Sequence, residues 1–134
     1  MRVVIDSCVW IACMSKRDAN YESARRIIQE VFGDEALSVC VTDYVVLEVI
    51  NFLLQKTGPD LAFKTLNMFE KHDRINIFFM GPERFEETSR IARKYKTSLT
   101  DASLITLMKS TGIRTIYSFD SGFDKVKGIE RKDG

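Results

Sequence analysis

The 134-residue chain predicts an α/β fold: a mostly parallel sheet with helices on both faces. Three observations carry this. Short apolar runs rich in β-branched residues recur along the chain. Nearly every pair of them is separated by longer stretches with helical periodicity. No repeat, low-complexity stretch or linker interrupts the alternation, so a single domain over residues 1–134 is expected.

Arg2 to Ile5 is the first apolar run, ends at Asp6 and reads as a buried strand. Residues 7–14 fit a short helix. Tyr21 to Phe32 fits a longer one, with Ile27, Ile28, Val31 and Phe32 as its apolar stripe and Gly33 as its stop. Leu37 to Val41 is the second strand. Residues 43–56 form a strongly apolar helix closed by Gly58 and Pro59, and Leu61 to Lys71 form the next, with Leu61, Leu66 and Phe69 inward. Ile75 to Phe79 is the third strand. Pro82 opens a helix at a position proline favours, running to about Lys96. Residues 99–110 form a further helix ended by Gly112, and Arg114 to Ser118 the fourth strand. A turn and short helix run through Lys125, a small edge strand starts at Gly128 and Ile129, and the final ERKDG is expected to fray.

Apolar residues make up 45% and charged residues 29%, which excludes a disordered chain. A net charge of +1 gives no global argument for a nucleic-acid binder, so any such role must rest on local patches. The N-terminal apolar run is too short for a signal peptide, and no window approaches the ~20 apolar residues of a membrane span. A cytoplasmic protein without membrane attachment is expected. Cys8, Cys13 and Cys40 match no metal-binding spacing and read as apolar thiols in a reducing compartment.

The acids carry the functional signal. Parallel sheets bind ligands beyond the carboxyl ends of their strands, where strand order reverses. Asp6 closes the first strand, and Asp120 follows the fourth by two residues. Asp101 opens the helix SLTDASLI, and Glu48 stands inside the apolar helix VTDYVVLEVINFLLQ. Each admits a local explanation. Asp6 can cap the following helix, Ser98 and Asp101 match a capping box, and Asp120 sits in the turn-rich SFDSGF. Glu48 has no Lys or Arg within one helical turn, so if buried it would cost several kcal/mol unless a cation joined it. The alternative is exposure on a polar stripe with Asn51 and Gln55. Four converging carboxylates would repel, at about 4 kcal/mol for one pair ~4 Å apart at an effective dielectric of ~20. A hard divalent ion, Mg²⁺ or Mn²⁺, would turn that repulsion into a binding site suited to phosphodiester hydrolysis.

VVIDSCVWI, the lone helix Glu48 after the second strand, SLTDASLI and IYSFDSGFDKV, in this order and spacing, resemble the PIN-domain family, in particular small VapC-type toxins. The resemblance spans the whole chain. It implies a Rossmann-like three-layer α/β/α sandwich and a Mg²⁺- or Mn²⁺-dependent ribonuclease, with an RNA substrate, an antitoxin protein and a homodimer as partners. The family's acids fall on Asp6, Glu48, Asp101 and Asp120, and its accompanying hydroxyls on Ser7 and Ser118. On this reading Asp6, Asp101 and Asp120 bind the metal directly or through its waters, while Glu48 completes the cluster and orients or deprotonates the attacking water. Asn51 shares Glu48's helix edge as an auxiliary residue. Many members carry a further Asp where this chain has Gly122, and Asp124 is displaced from that position.

Lys16, Arg17, Arg90, Arg93, Lys94, Lys125 and Lys127 are candidate RNA contacts. Tyr44, Val45, Ile50, Phe52 and Leu53 make their helix apolar around much of its circumference, which fits core packing, a homodimer interface or an antitoxin groove. His72, set among charges, reads as a solvated surface residue. A catalytically idle PIN-like domain that only binds RNA or protein is the competing reading. A phospho-acceptor signalling domain fits poorly, because Asp6 lacks a paired acid and Ser118 is followed by Phe119 rather than Lys.

Overall fold

The computed structural model describes all residues, Met1–Gly134. Five strands, β1 (Arg2–Ile5), β2 (Ser38–Thr42), β3 (Ile75–Phe78), β4 (Thr115–Tyr117) and β5 (Glu130–Lys132), form one sheet in the order β3-β2-β1-β4-β5. Every pairing is parallel, with Val3 beside Val39, Val4 beside Ile116 and Val41 beside Ile77. The central strand carries Val3, Val4 and Ile5, all fully buried, as a strand covered on both faces requires.

Six α-helices connect these strands: α1 (Ser7–Cys13), α2 (Tyr21–Gly33), α3 (Asp43–Lys56), α4 (Pro59–Lys71), α5 (Gly81–Tyr95) and α6 (Leu99–Thr111). The chain moves outward from β1 through β2 to β3, then returns across β1 to β4. Right-handed crossovers therefore put α1–α4 on one face and α5–α6 on the other. The packing agrees: α1 touches α2 and α3, α3 touches α4, and α5 pairs with α6. Strand order reverses between β1 and β4, so the crevice beyond their carboxyl ends is the expected ligand site.

A core cluster of 31 buried residues joins both helical layers to the sheet. Trp10 anchors it beside Asp6. Its ring meets Phe69 edge-on at 5.1 Å, and its Nε1 donates to the Ile5 carbonyl at 3.1 Å. In α2, Ile27 and Val31 are buried while Ile28 and Phe32 are half-buried, which gives the expected stripe. No helix is long and apolar enough to cross a membrane.

Two readings need correction, and a third is decided between its alternatives. Gly58 and Pro59 close α3 but also open α4, because Gly58 takes φ 96° and Pro59 occupies the first helical turn. The edge strand lies at Glu130–Lys132 rather than at Gly128 and Ile129, so most of ERKDG is paired instead of frayed. Arg131 explains this order, since it bridges Asp124 at 2.9 Å and Asp133 at 3.3 Å and donates to the Ser118 carbonyl at 3.1 Å. Of the two alternatives open for Glu48, burial beside a cation or exposure on a polar stripe with Asn51 and Gln55, the structure takes exposure. The apolar side of α3 is Val45, Val46, Val49, Ile50 and Leu53, while Leu47, Glu48, Asn51, Leu54 and Gln55 face outward. The outward side thus mixes the exposed Leu47 and Leu54 with Glu48, Asn51 and Gln55, and the cost of burying a carboxylate falls on Asp6 instead.

Candidate active site

Asp6 is the buried acid, at 2% exposure. It stands where β1 ends and α1 begins, and both of its oxygens are held. Oδ1 accepts from the Ser7 backbone N–H at 2.7 Å and the Ser7 hydroxyl at 3.3 Å. Oδ2 accepts from the Ser118 hydroxyl at 2.7 Å and the Cys8 thiol at 3.3 Å. The helix-capping role expected from sequence is thus present and uses only one oxygen. Burial raises the Asp6 pKa, these hydrogen bonds oppose the rise, and the charge of Glu48 adds to it.

Ser118 links two of the acids. Its Oγ donates to Asp6 and accepts from the Asp120 backbone N–H at 3.0 Å. Asp120 is exposed and turns back on the chain, Oδ1 accepting from the Gly122 N–H at 2.8 Å. A Cβ at residue 122 would stand 3.0 Å from that oxygen, so glycine is what permits the close turn. Asp124 is engaged by Arg131, which also holds its carboxyl below the ordinary value.

Asp101 lies in the first turn of α6. Ser98 Oγ accepts from its N–H at 3.0 Å, but Asp101 returns no bond to Ser98. Only half of the capping box forms, and the carboxylate instead accepts from Thr97 Oγ1 at 3.2 Å. Burial first, then the charge of Asp6, and further the charges of Asp120 and Glu48, push its pKa up to about 6. The carboxylates of Asp6, Glu48, Asp101 and Asp120 are therefore within electrostatic range, although they come from four separate segments. Thr42, which caps α3 and hydrogen-bonds Ser103 of α6 at 2.8 Å, ties the helix of Glu48 to that of Asp101.

No cation forms an ion pair with these acids. The chain's only ion pairs join Arg131 to Asp124 and Asp133. No three acidic, histidine or cysteine side chains stand grouped closely enough to hold a metal ion between them. The donor set is nonetheless all oxygen, the preference of Mg²⁺ and Mn²⁺. Mg²⁺ keeps several of its waters and takes only one or two carboxylates directly, so electrostatic proximity without tight grouping fits it.

A cleft of about 170 Å³ opens over Asp101 and Asp120, and Tyr95, Lys96, Thr97 and Lys125 also line it. Of the cationic residues singled out from sequence, Lys125 is in the cleft; Lys16, Arg17, Arg90, Arg93, Lys94 and Lys127 are exposed elsewhere. His72 is exposed, as expected. Sequence reasoning missed Lys96, Thr97 and Cys8. Thr97 precedes the capping serine, which drew attention away from it. Cys8 is more than an inert thiol, because it donates to Asp6; burial and the Asp6 charge push its pKa up to about 12.

The PIN domain family model matches residues 3–129. No curated protein matches the chain significantly. Among solved structures, the sarcin-ricin loop cleaving toxin VapC20 of Mycobacterium tuberculosis superposes with TM-score 0.78 at 18% identity, covering 91% of this chain and 92% of that one. VapBC2 from Rickettsia felis, bound to a promoter DNA fragment, gives TM-score 0.68 at 9% identity and 98% coverage of each chain. FitAcB from Neisseria gonorrhoeae gives 0.61 at 11% identity, covering 96% of this chain and 95% of that one. At these identities the superpositions speak for the fold, while the family model spans nearly the whole chain and includes all four acids: this chain belongs to the PIN domain family.

Proposed function

We propose that this chain is a Mg²⁺- or Mn²⁺-dependent endoribonuclease and the toxin of a toxin–antitoxin pair. The observation that carries the reading is the set of four carboxylates, from the end of β1, α3, the start of α6 and the segment after β4: the charges of the others add to burial in raising the proton affinity of Asp6 and Asp101, and none of the four forms an ion pair. Asp6, Asp101 and Asp120 would hold the ion, directly or through water. A divalent ion bound there would lower the pKa of a water and offset charge on phosphate oxygens.

The chain's own residues have separable tasks. Ser7, Cys8 and Ser118 fix Asp6 in one orientation. Thr97 steadies Asp101, and Gly122 steadies Asp120. Glu48 is exposed and free to orient an attacking water or take its proton, with Asn51 one turn along the same edge. The exposed Leu47 and Leu54 on that outward side of α3 support a protein partner there, either the antitoxin or a second copy of the chain. Three free cysteines fit a cytoplasmic setting.

Total RNA incubated with the chain and Mg²⁺ or Mn²⁺ should be cleaved, chelator should stop it, and Asp6→Asn should abolish it without unfolding the protein. Cleavage that continues in chelator, or at full rate in the Asp6→Asn variant, would overturn the proposal. The separation of the carboxylates also fits an idle domain that binds RNA or protein without turnover. Calorimetric titration with Mg²⁺ of the parent and of Asp120→Ala separates the two: heat that is lost with Asp120 supports the enzyme.

A further inference from the structure

We propose that Lys96 is a phosphate-binding residue of the cleft, gripping the RNA backbone beside the bond to be cut; this rests on the ribonuclease reading above. Three observations point to it. The first is backbone conformation. Lys96 follows the last residue of α5 with φ 53° and ψ 48°, and it is the chain's only non-glycine residue with positive φ. Helix ends of this shape favour glycine, which the chain does place at the end of α6, where Gly112 has φ 77°. Lysine adds nothing to the turn itself. What it adds is a side chain, and strained non-glycine positions gather at functional sites.

The second observation is place. Lys96 lines the cleft that contains Asp101 and Asp120, and its neighbour Thr97 donates to Asp101. The helix end fixes it there, since the Lys96 and Thr97 N–H groups both bond to the Ala92 carbonyl. The third is availability. The Lys96 ammonium makes no ion pair and no side-chain hydrogen bond, and neither does Lys125 in the same cleft. Four carboxylates outnumber the charge of one divalent ion, so a phosphate entering the cleft still meets net repulsion. Unpaired ammonium groups on the cleft wall offset it, and a lysine is suited to this as a compact point charge with three donors.

The test measures anisotropy of a fluorescein-labelled single-stranded RNA in chelator, which keeps the RNA intact, over a salt series, for the parent, K96N, K96G and K96R. Asparagine tolerates the left-handed backbone and glycine prefers it, so neither should melt below the parent. Both should bind RNA roughly 5-fold more weakly, with a salt slope smaller by about 0.7, the loss of one phosphate contact on a single strand. K96R should bind like the parent. In cleavage assays with Mg²⁺ the loss should appear in KM more than in kcat. Parent-like affinity and salt slope in K96N and K96G would overturn the assignment while leaving the ribonuclease reading intact, as would a K96R variant as weak as K96N. A parent chain that neither binds nor cuts RNA would overturn both.

Discussion

Asp101→Asn should reduce the pH dependence of the metal-free protein's stability between about pH 5 and pH 7. Burial and the charges of Asp6, Asp120 and Glu48 raise the folded-state pKa of Asp101 from 3.8 to about 6. Below the lower value the group is protonated whether folded or unfolded, and it imposes no penalty. As pH rises through this window the unfolded chain ionises first, so the folded state loses stability until Asp101 has itself ionised. A shift of that size corresponds to about 3 kcal/mol in full. Asp101 is only half-buried, so solvent screening leaves roughly half of it, and about half of the remainder falls between pH 5 and pH 7. The parent should thus lose about 0.7 kcal/mol over that interval, or roughly 2–3 °C in Tm for a domain of this size. Asp6, raised in the same direction, keeps a residual slope in the variant. Thermal melts in chelator at several pH values supply the measurement. Adding Mg²⁺ to 100 times its dissociation constant should stabilise the parent by about 2.7 kcal/mol near pH 7 and the variant much less. A parent Tm that is flat or rising from pH 5 to pH 7 in chelator, or a variant slope equal to the parent's, would refute the reasoning.

Ser118→Ala removes a buried hydroxyl that donates to Asp6 and accepts from the Asp120 N–H, so urea unfolding should show a loss of about 2 kcal/mol, and RNA cleavage should fall as both acids lose their common support. Trp10→Ala should cost about 3–5 kcal/mol by the same assay, because the ring is fully buried against Phe69 and its N–H ties α1 to the end of β1. Asp6→Asn, which should abolish cleavage, should also weaken the fall of the metal-free Tm with rising pH, since burial raises the folded-state pKa of Asp6.

Local chemistry made much of the fold legible in advance. Apolar runs at Arg2 to Ile5 and Leu37 to Val41 could bury both faces, so they had to be inner strands of a covered parallel sheet. Alternation with helical stretches then dictated crossovers of one hand, and with them the crevice at the strand ends. Local pattern alone singled out only part of the candidate site: Asp6 ends an apolar strand and Glu48 interrupts an apolar helix, whereas Asp101 and Asp120 stand in cap and turn sequences and joined the set through the order and spacing of the motifs. Only the tertiary structure decided which acid bears the burial cost. Periodicity could not tell that Glu48 lies on the open side of α3, because its flanking Leu47 is itself exposed at 59%. Nor could spacing show that Ser118 joins Asp6 to Asp120 across 112 residues of chain, or that Lys96 lines the same cleft as Asp101. Propensity and pattern act over a turn or a strand. Burial, shared charge and hydrogen bonding between distant segments arise only when the sheet order brings those segments together.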